Sequence, residues 1–224
     1  MSQEESANAT KPAMPSHRRF AAYYERIGRS ETERRYMEPL RRKLLARARG
    51  LVLEVGAGNG LNFPIYDPAL VERVEAVEPD PAMLDYARER ALSARVPITL
   101  TQAAAEALPF ADATFDSVVV TLVFCSVSDP ALGLREIGRV LKPDGILLMV
   151  EHVRSRHGLV SLAQSAVTPF TRRLCGNCHW NRDTLRAVRE AGFQIDYLRD
   201  YGGVFVPFIL LDARKFPLDR KAEL

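Results

Sequence analysis

From residue 50 onward, short apolar runs alternate with amphipathic stretches. "LVLEVG", "VERVEAVEP", "PITLTQA", "FDSVVVTLVF" and "ILLMVEHV" read as five strands, each a short β-branched run bounded by turn residues. "PAMLDYARERAL", with Pro81 near its start, reads as a helix, and so does "DPALGLREIGRVLKPDG". In the latter, Asp129 stands at the N-cap, Pro130 at the first helical position, and Pro-Asp-Gly as the stop. "NRDTLRAVREAGF" predicts another helix, capped by Asn181 or Asp183 and ending near Gly192. "QIDYLRDY" and "VFVPFILLDA" predict the last strands. Strands alternating with helices imply an α/β protein with a mainly parallel sheet.

The first 49 residues follow a different pattern. Residues 1–17 are polar and rich in Ser, Ala and Pro, and read as a disordered tail. Residues 18–49 are helical in period and strongly basic, with Tyr23, Ile27, Leu40, Leu44 and Leu45 as apolar points. Pro39 is placed to open a second helix in this N-terminal cap. Residues 50–224 form the main domain.

Charge sharpens this division. Residues 1–50 hold 12 Lys/Arg against 6 Asp/Glu, residues 51–151 hold 7 against 15, and residues 152–224 hold 12 against 7. An acidic middle between basic ends suits either solvated helix faces or an anionic partner such as a membrane surface. The opening residues lack an apolar signal segment, and no run approaches the ~20 residues of a membrane span. A cytoplasmic address is therefore expected, with peripheral membrane contact as an alternative. Three cysteines, Cys125, Cys175 and Cys178, do not make a disulfide framework.

The informative motif is "LVLEVGAGNG". A strand ends in Glu54, and Gly56, Gly58 and Gly60 follow with one residue between each. Such glycines let backbone bend sharply and approach a ligand. A dinucleotide loop would place a glycine where Leu61 stands, so the spacing suits a ligand without phosphates and with a cationic amino-acid end. Glu78 ends the second strand, where an acid can accept both ribose hydroxyls. Together these mark a nucleoside site.

"EVGAGNG", "VEPDPAML", "AEALPFADATFDSVVV" and "EIGRVLKPDGILLMVEH" resemble the class I S-adenosylmethionine-dependent methyltransferases, of the type 11 or ubiquinone-methyltransferase-like kind. The resemblance implies a Rossmann-like sheet, mostly parallel with an antiparallel last strand, helices on both faces, and S-adenosyl-L-methionine as cofactor. It implies a cofactor site at Glu54, Gly56, Ala57, Gly58, Glu78, Pro79, Met83, Ala105, Glu106 and Leu122. Many relatives carry Asp before "AEALPF"; here Ala104 stands there, so Glu106 or backbone groups would hold the adenine amino group. "NGLNFPIYD", "TLVFCSVSDP", "EHVRS" and "CHWNRDT" resemble a narrower subgroup that includes mammalian methyltransferase-like proteins acting on alkyl thiols.

"CGNCH", residues 175–179, spells a c-type haem attachment signal and a redox dithiol. In the resembling subgroup only Cys178, a polar residue at 179 and "NRDT" recur, so the spelling is read as accidental. Three clustered ligands with no second pair do not predict zinc, and no metal is expected. Residues 153–181 are expected to form a substrate lid. Within them, Leu159, Leu162, Ala163, Ala166, Val167 and Phe170 lie at helical spacing, flanked by Arg154, Arg156, Arg172 and Arg173. This stripe suits packing on the domain, a lid over a lipophilic acceptor, or an interfacial helix.

His152 ends the fifth strand on the ligand-binding side of an open α/β sheet, and is the candidate base or acceptor-orienting group. Tyr23, Tyr24, Cys125, Cys178 and His179 are further acceptor-side candidates. The Asn/Asp-Pro-Pro-Tyr signature of nucleic-acid amino methyltransferases is replaced by "TLVFCS", so no nucleic-acid partner is expected. The expected activity is methyl transfer to a small, fairly apolar acceptor, with a thiol as one candidate. A phospholipid or quinone methyltransferase and a non-catalytic cofactor-binding module are the alternatives.

Overall fold

The computed structural model describes residues 17–174 and 176–216. The expected tail therefore lies, apart from His17, outside the described residues, and so does Cys175. Seven strands form one sheet: β1 (Gly50–Val55), β2 (Val71–Val77), β3 (Ile98–Thr101), β4 (Phe115–Thr121), β5 (Leu141–His152), β6 (Phe193–Gly202) and β7 (Pro207–Lys215). Their order is β3-β2-β1-β4-β5-β7-β6. β1 to β5 run parallel, and β7 enters antiparallel between β5 and β6. The strand order reverses between β1 and β4, which opens a crevice at their C-terminal ends.

Helices cover both faces. α2 (Glu38–Leu45) and α3 (Pro81–Ala91) pack with Phe63, Tyr66 and Val52 on one side. α4 (Pro130–Val140) and α6 (Thr184–Glu190) pack with Leu53, Val118 and Met149 on the other. A sheet covered on both faces needs apolar residues at consecutive positions, which is why β1 and β4 carry the apolar runs 51–53 and 118–120. α1 (Arg18–Gly28) and a π-helical turn (Glu33–Met37) lead into α2, with Pro39 in its first turn.

Several boundaries differ from the sequence reading; the last strand, for one, starts at Pro207 rather than at Val204. α4 stops at Val140, and Leu141–Asp144 belong to β5, where Leu141 pairs with Phe115. Pro143 disfavours helix for the residue before it, so the chain extends early. β4 ends at Thr121 rather than running to Phe124. Leu122 turns at φ 59°, and the Val123 and Phe124 N–H groups donate to the Glu151 carboxylate instead of a ladder. Asp183, not Asn181, caps α6.

α5 (Gly158–Leu174) departs most from expectation. Packing of its apolar stripe on the domain is not what the structure shows. Ser161, Gln164, Thr168 and Thr171 are buried, while Leu159, Leu162, Val167 and Phe170 face outward.

Candidate cofactor and acceptor site

β1 delivers the chain to a turn through Gly56 and Gly58, at φ 67° and 57°. Side chains rarely tolerate this left-handed backbone. A Cβ on Gly56 would lie 2.5 Å from Val123, so the loop and the β4 turn meet only because Gly56 has none. A Cβ on Gly58 would meet nothing closer than the Tyr24 ring at 4.0 Å, so open space lies against this backbone.

Glu78 closes the cradle. Its Oε2 accepts the Gly58 N–H at 2.9 Å and its Oε1 accepts the Asp80 N–H at 3.0 Å. Each oxygen keeps a lone pair for a ribose hydroxyl. Burial pushes the Glu78 pKa up to about 7, against the pull of these two bonds. Asp80 caps α3 through the Ala82 N–H at 2.9 Å. Met83 and Ala82 then pack with Ala21, Phe20 and Tyr24, so α1 walls the cradle. Pro79 is held by a Gln102 amide hydrogen bond to its carbonyl at 3.1 Å.

The other cofactor candidates divide. Ala57 and Ala105 are buried beside the crevice, and Leu122 sits at its β4 edge. Glu106 accepts the Ser128 and Asp129 N–H groups at 2.9 and 3.1 Å, which fixes the β4–α4 loop. The stretch after it is clamped by Arg139, which donates to the Leu108 and Phe110 carbonyls at 3.0 and 2.7 Å.

Glu54 lies beneath the loop. Its oxygens accept Asn62 Nδ2 at 3.0 Å and Tyr66 OH at 2.7 Å. Burial raises its pKa to about 7, while Tyr66, Asn62 and Arg41 oppose the rise. Asn62 also donates to Thr121 and accepts from Arg41, and Arg41 pairs with Glu33 at 2.8 Å. One buried polar network thus joins the N-terminal cap to the ends of β1 and β4. Beside it, Glu25 of α1 accepts from both Nη atoms of Arg90 at 2.8 Å and from Asn59 Nδ2 at 2.7 Å. Burial alone would raise the Glu25 pKa; the bonds from Arg90, Arg29 and Asn59 win and hold it at about 2.

The acceptor-side candidates meet where the chain after α5 docks on the turn after β4. His179 N–H donates to the Cys125 carbonyl at 2.7 Å, and its Nδ1 lies 3.2 Å from the same oxygen. Asn177 donates to the Ser126 carbonyl at 2.8 Å, and Arg182 to the Phe124 carbonyl at 2.5 Å. The Cys125 and Cys178 thiols meet in a hydrogen bond; this contact first, and burial next, push the Cys125 pKa well above the usual thiol range. Tyr24 reaches this region from α1: burial raises its pKa, and it feels both Arg41 and Cys125. Tyr23 instead faces outward.

His152 packs against Trp180 at 5.5 Å and Phe208 at 5.8 Å between ring centroids. Neither ring nitrogen has a partner among the described residues, and burial lowers its pKa to about 4. It is a neutral imidazole at pH 7.

Arg41, Asn62, Tyr66, Glu25, Arg90 and Glu151 were not found from sequence. Glu151 had a visible signal, an acid closing the apolar run "ILLMVEH". It is fully buried, and burial pushes its pKa well above the carboxylate range.

Comparison with known proteins agrees with this fold. Residues 53–149 match the family model described as a methyltransferase domain. Thiol S-methyltransferase TMT1B of Rattus norvegicus is 33% identical over 187 residues, covering 76% of this chain and 75% of the relative. Phosphatidylethanolamine N-methyltransferase of Cereibacter sphaeroides is 32% identical, covering 71% and 77% respectively. A solved S-adenosylmethionine-dependent methyltransferase from Mesorhizobium loti shares the fold at a TM-score of 0.64 and 19% identity, over 79% of this chain and 96% of that one. The chain belongs to the class I S-adenosylmethionine-dependent methyltransferases.

Proposed function

We propose that this S-adenosylmethionine-dependent enzyme methylates the sulfur of a small, fairly apolar thiol. The carrying observation is the charge of the acceptor side. Arg182 stands in the field of Cys125, Cys178 and Glu151, and remains the cation there although burial lowers its pKa. His152 is neutral, and the Cys125 thiol and Glu151 carboxyl are pushed toward their protonated forms. An ammonium acceptor would find only an acid whose charged form burial disfavours. A thiolate would find a guanidinium.

The cofactor, when bound, supplies the electrophilic methyl group. The chain's part is to hold the two reactants in line and to exclude water. A thiolate and a sulfonium cancel their charges as they react, so a dry, apolar site favours that pair. A thiol of ordinary pKa near 8.5 also needs little help from a base, which suits a neutral His152 in an orienting role. The name of the rat relative supports the same acceptor class.

The test is turnover of labelled cofactor across alkyl thiols, phenols, amines and phosphatidylethanolamine. Alkyl thiols should lead, and Arg182→Met should lower their kcat/KM. Amine or phospholipid turnover equal to that of thiols defeats the reading. A lipid-borne acceptor is the second reading, favoured by the outward apolar stripe of α5.

A further inference from the structure

α5 is folded inside out. Leu159, Leu162 and Phe170 are 85%, 69% and 67% exposed, on one stripe of the helix. The opposite stripe, Ser161, Gln164, Thr168 and Thr171, is buried. Hydrogen bonds fix this orientation. Gln164 Oε1 accepts the Ser155 N–H at 2.8 Å, and its Nε2 donates to the Phe205 carbonyl at 3.3 Å. Thr171 Oγ1 donates to the Cys178 carbonyl at 2.8 Å. The helix cannot roll to hide its leucines without breaking them. Phe205, 72% exposed at the tip of the β6–β7 hairpin, extends the apolar surface beside the helix.

We propose that this face seats the enzyme on an anionic phospholipid bilayer. Charge selects the occupant. Arg154, Arg156, Arg172 and Arg173 are exposed at the two ends of the stripe, Arg156 in an ion pair with Asp200. From His152 to Arg182 the sequence holds no Asp or Glu. An apolar stripe between arginines suits headgroup phosphates around acyl chains. A two-fold dimer through the same face would oppose arginine to arginine. Among the described residues no helix is long and apolar enough to cross a membrane, so α5 lies in the interface plane. Its inner side holds the Cys178 segment, so an apolar acceptor dissolved in the bilayer reaches the acceptor side without crossing water.

The seat is independent of which atom is methylated, and its test reads binding alone. The full chain is sedimented with vesicles of phosphatidylcholine, with and without phosphatidylserine, at low and high salt. Binding to the anionic vesicles is expected, weakening as salt rises. Leu162→Asp/Phe170→Asp should lower it by roughly tenfold or more, with thermal midpoint and cofactor affinity unchanged. Arg172→Glu/Arg173→Glu should abolish the preference for phosphatidylserine. Absence of vesicle binding overturns the proposal, as does binding that the aspartate pair leaves intact. A wild-type dimer that the aspartate pair converts to monomer, without vesicle binding, makes a second copy the occupant and also overturns it.

Discussion

The Glu78 carboxylate accepts the Gly58 backbone N–H at 2.9 Å and thereby ties the glycine turn to the end of β2. The residue expected from sequence to bind ribose also holds the glycine turn. Glu78→Ala should weaken S-adenosylmethionine binding by about 1.5–3 kcal/mol, roughly ten- to hundredfold, the size of a charge-assisted contact. Gly58→Val should do likewise, since φ 57° disfavours a β-branched residue and its side chain fills the open approach. Calorimetry on folded variants decides, and wild-type affinity in Glu78→Ala removes Glu78 from the cofactor site.

Glu54 makes stability depend on pH. Its folded pKa, about 7, lies above the ordinary 4.5. The folded state therefore holds this proton more tightly, and the stability so gained is complete below about 4.5 and lost as pH rises through 7. Glu54→Gln does not titrate. Its thermal midpoint should rise relative to wild type between pH 5 and pH 8, by an amount worth at most ~3 kcal/mol. Parallel melting curves across that range would show that the carboxylate is not desolvated.

Much of this was legible because it is local. Glycine spacing, the acid closing β2 and the Asp129 cap are decided by neighbours in sequence, and each stands where its pattern placed it. Glu54 shows the limit. An acid at a strand end was visible, but its partners Asn62 and Tyr66 come from the following loop, and Arg41 joins from α2. The α5 stripe was visible too, yet period cannot say which side faces in. Gln164 and Thr171 decide that through partners at Ser155, Phe205 and Cys178. The meeting of Cys125 with Cys178 likewise follows from the docking of the post-α5 chain on the β4 turn.

The N-terminal cap hangs on Glu25. Its two oxygens bind Arg90, Arg29 and Asn59. Glu25→Ala leaves Arg90 partly buried without its carboxylate and should cost about 2–4 kcal/mol. Hydrogen exchange should quicken first in residues 18–28, and cofactor affinity should fall with it because α1 walls the cradle. Because the Glu25 pKa is held at about 2, below the ordinary 4.5, its contribution is full above 4.5 and is lost as pH falls toward 2. Unchanged exchange in α1 would show that the cap docks without this cluster.

On the acceptor side, the pH profile tests His152. With its pKa near 4, the imidazole stays neutral from pH 5 to 9, so it adds no inflection near 6.5. With cofactor saturating, kcat should instead rise with ionisation of the acceptor thiol, and the inflection should move when a more acidic thiol is used. His152→Ala should lower kcat by about tenfold or less without moving that inflection, as loss of an orienting group does. Cys178→Ser should raise the acceptor KM more than it alters cofactor affinity, because Cys178 meets Cys125 rather than the glycine loop. Cys175→Ser should be nearly silent. An inflection near 6.5 that vanishes in His152→Ala would make His152 the base after all, and a dead Cys175→Ser variant would restore the dithiol reading of the "CGNCH" stretch.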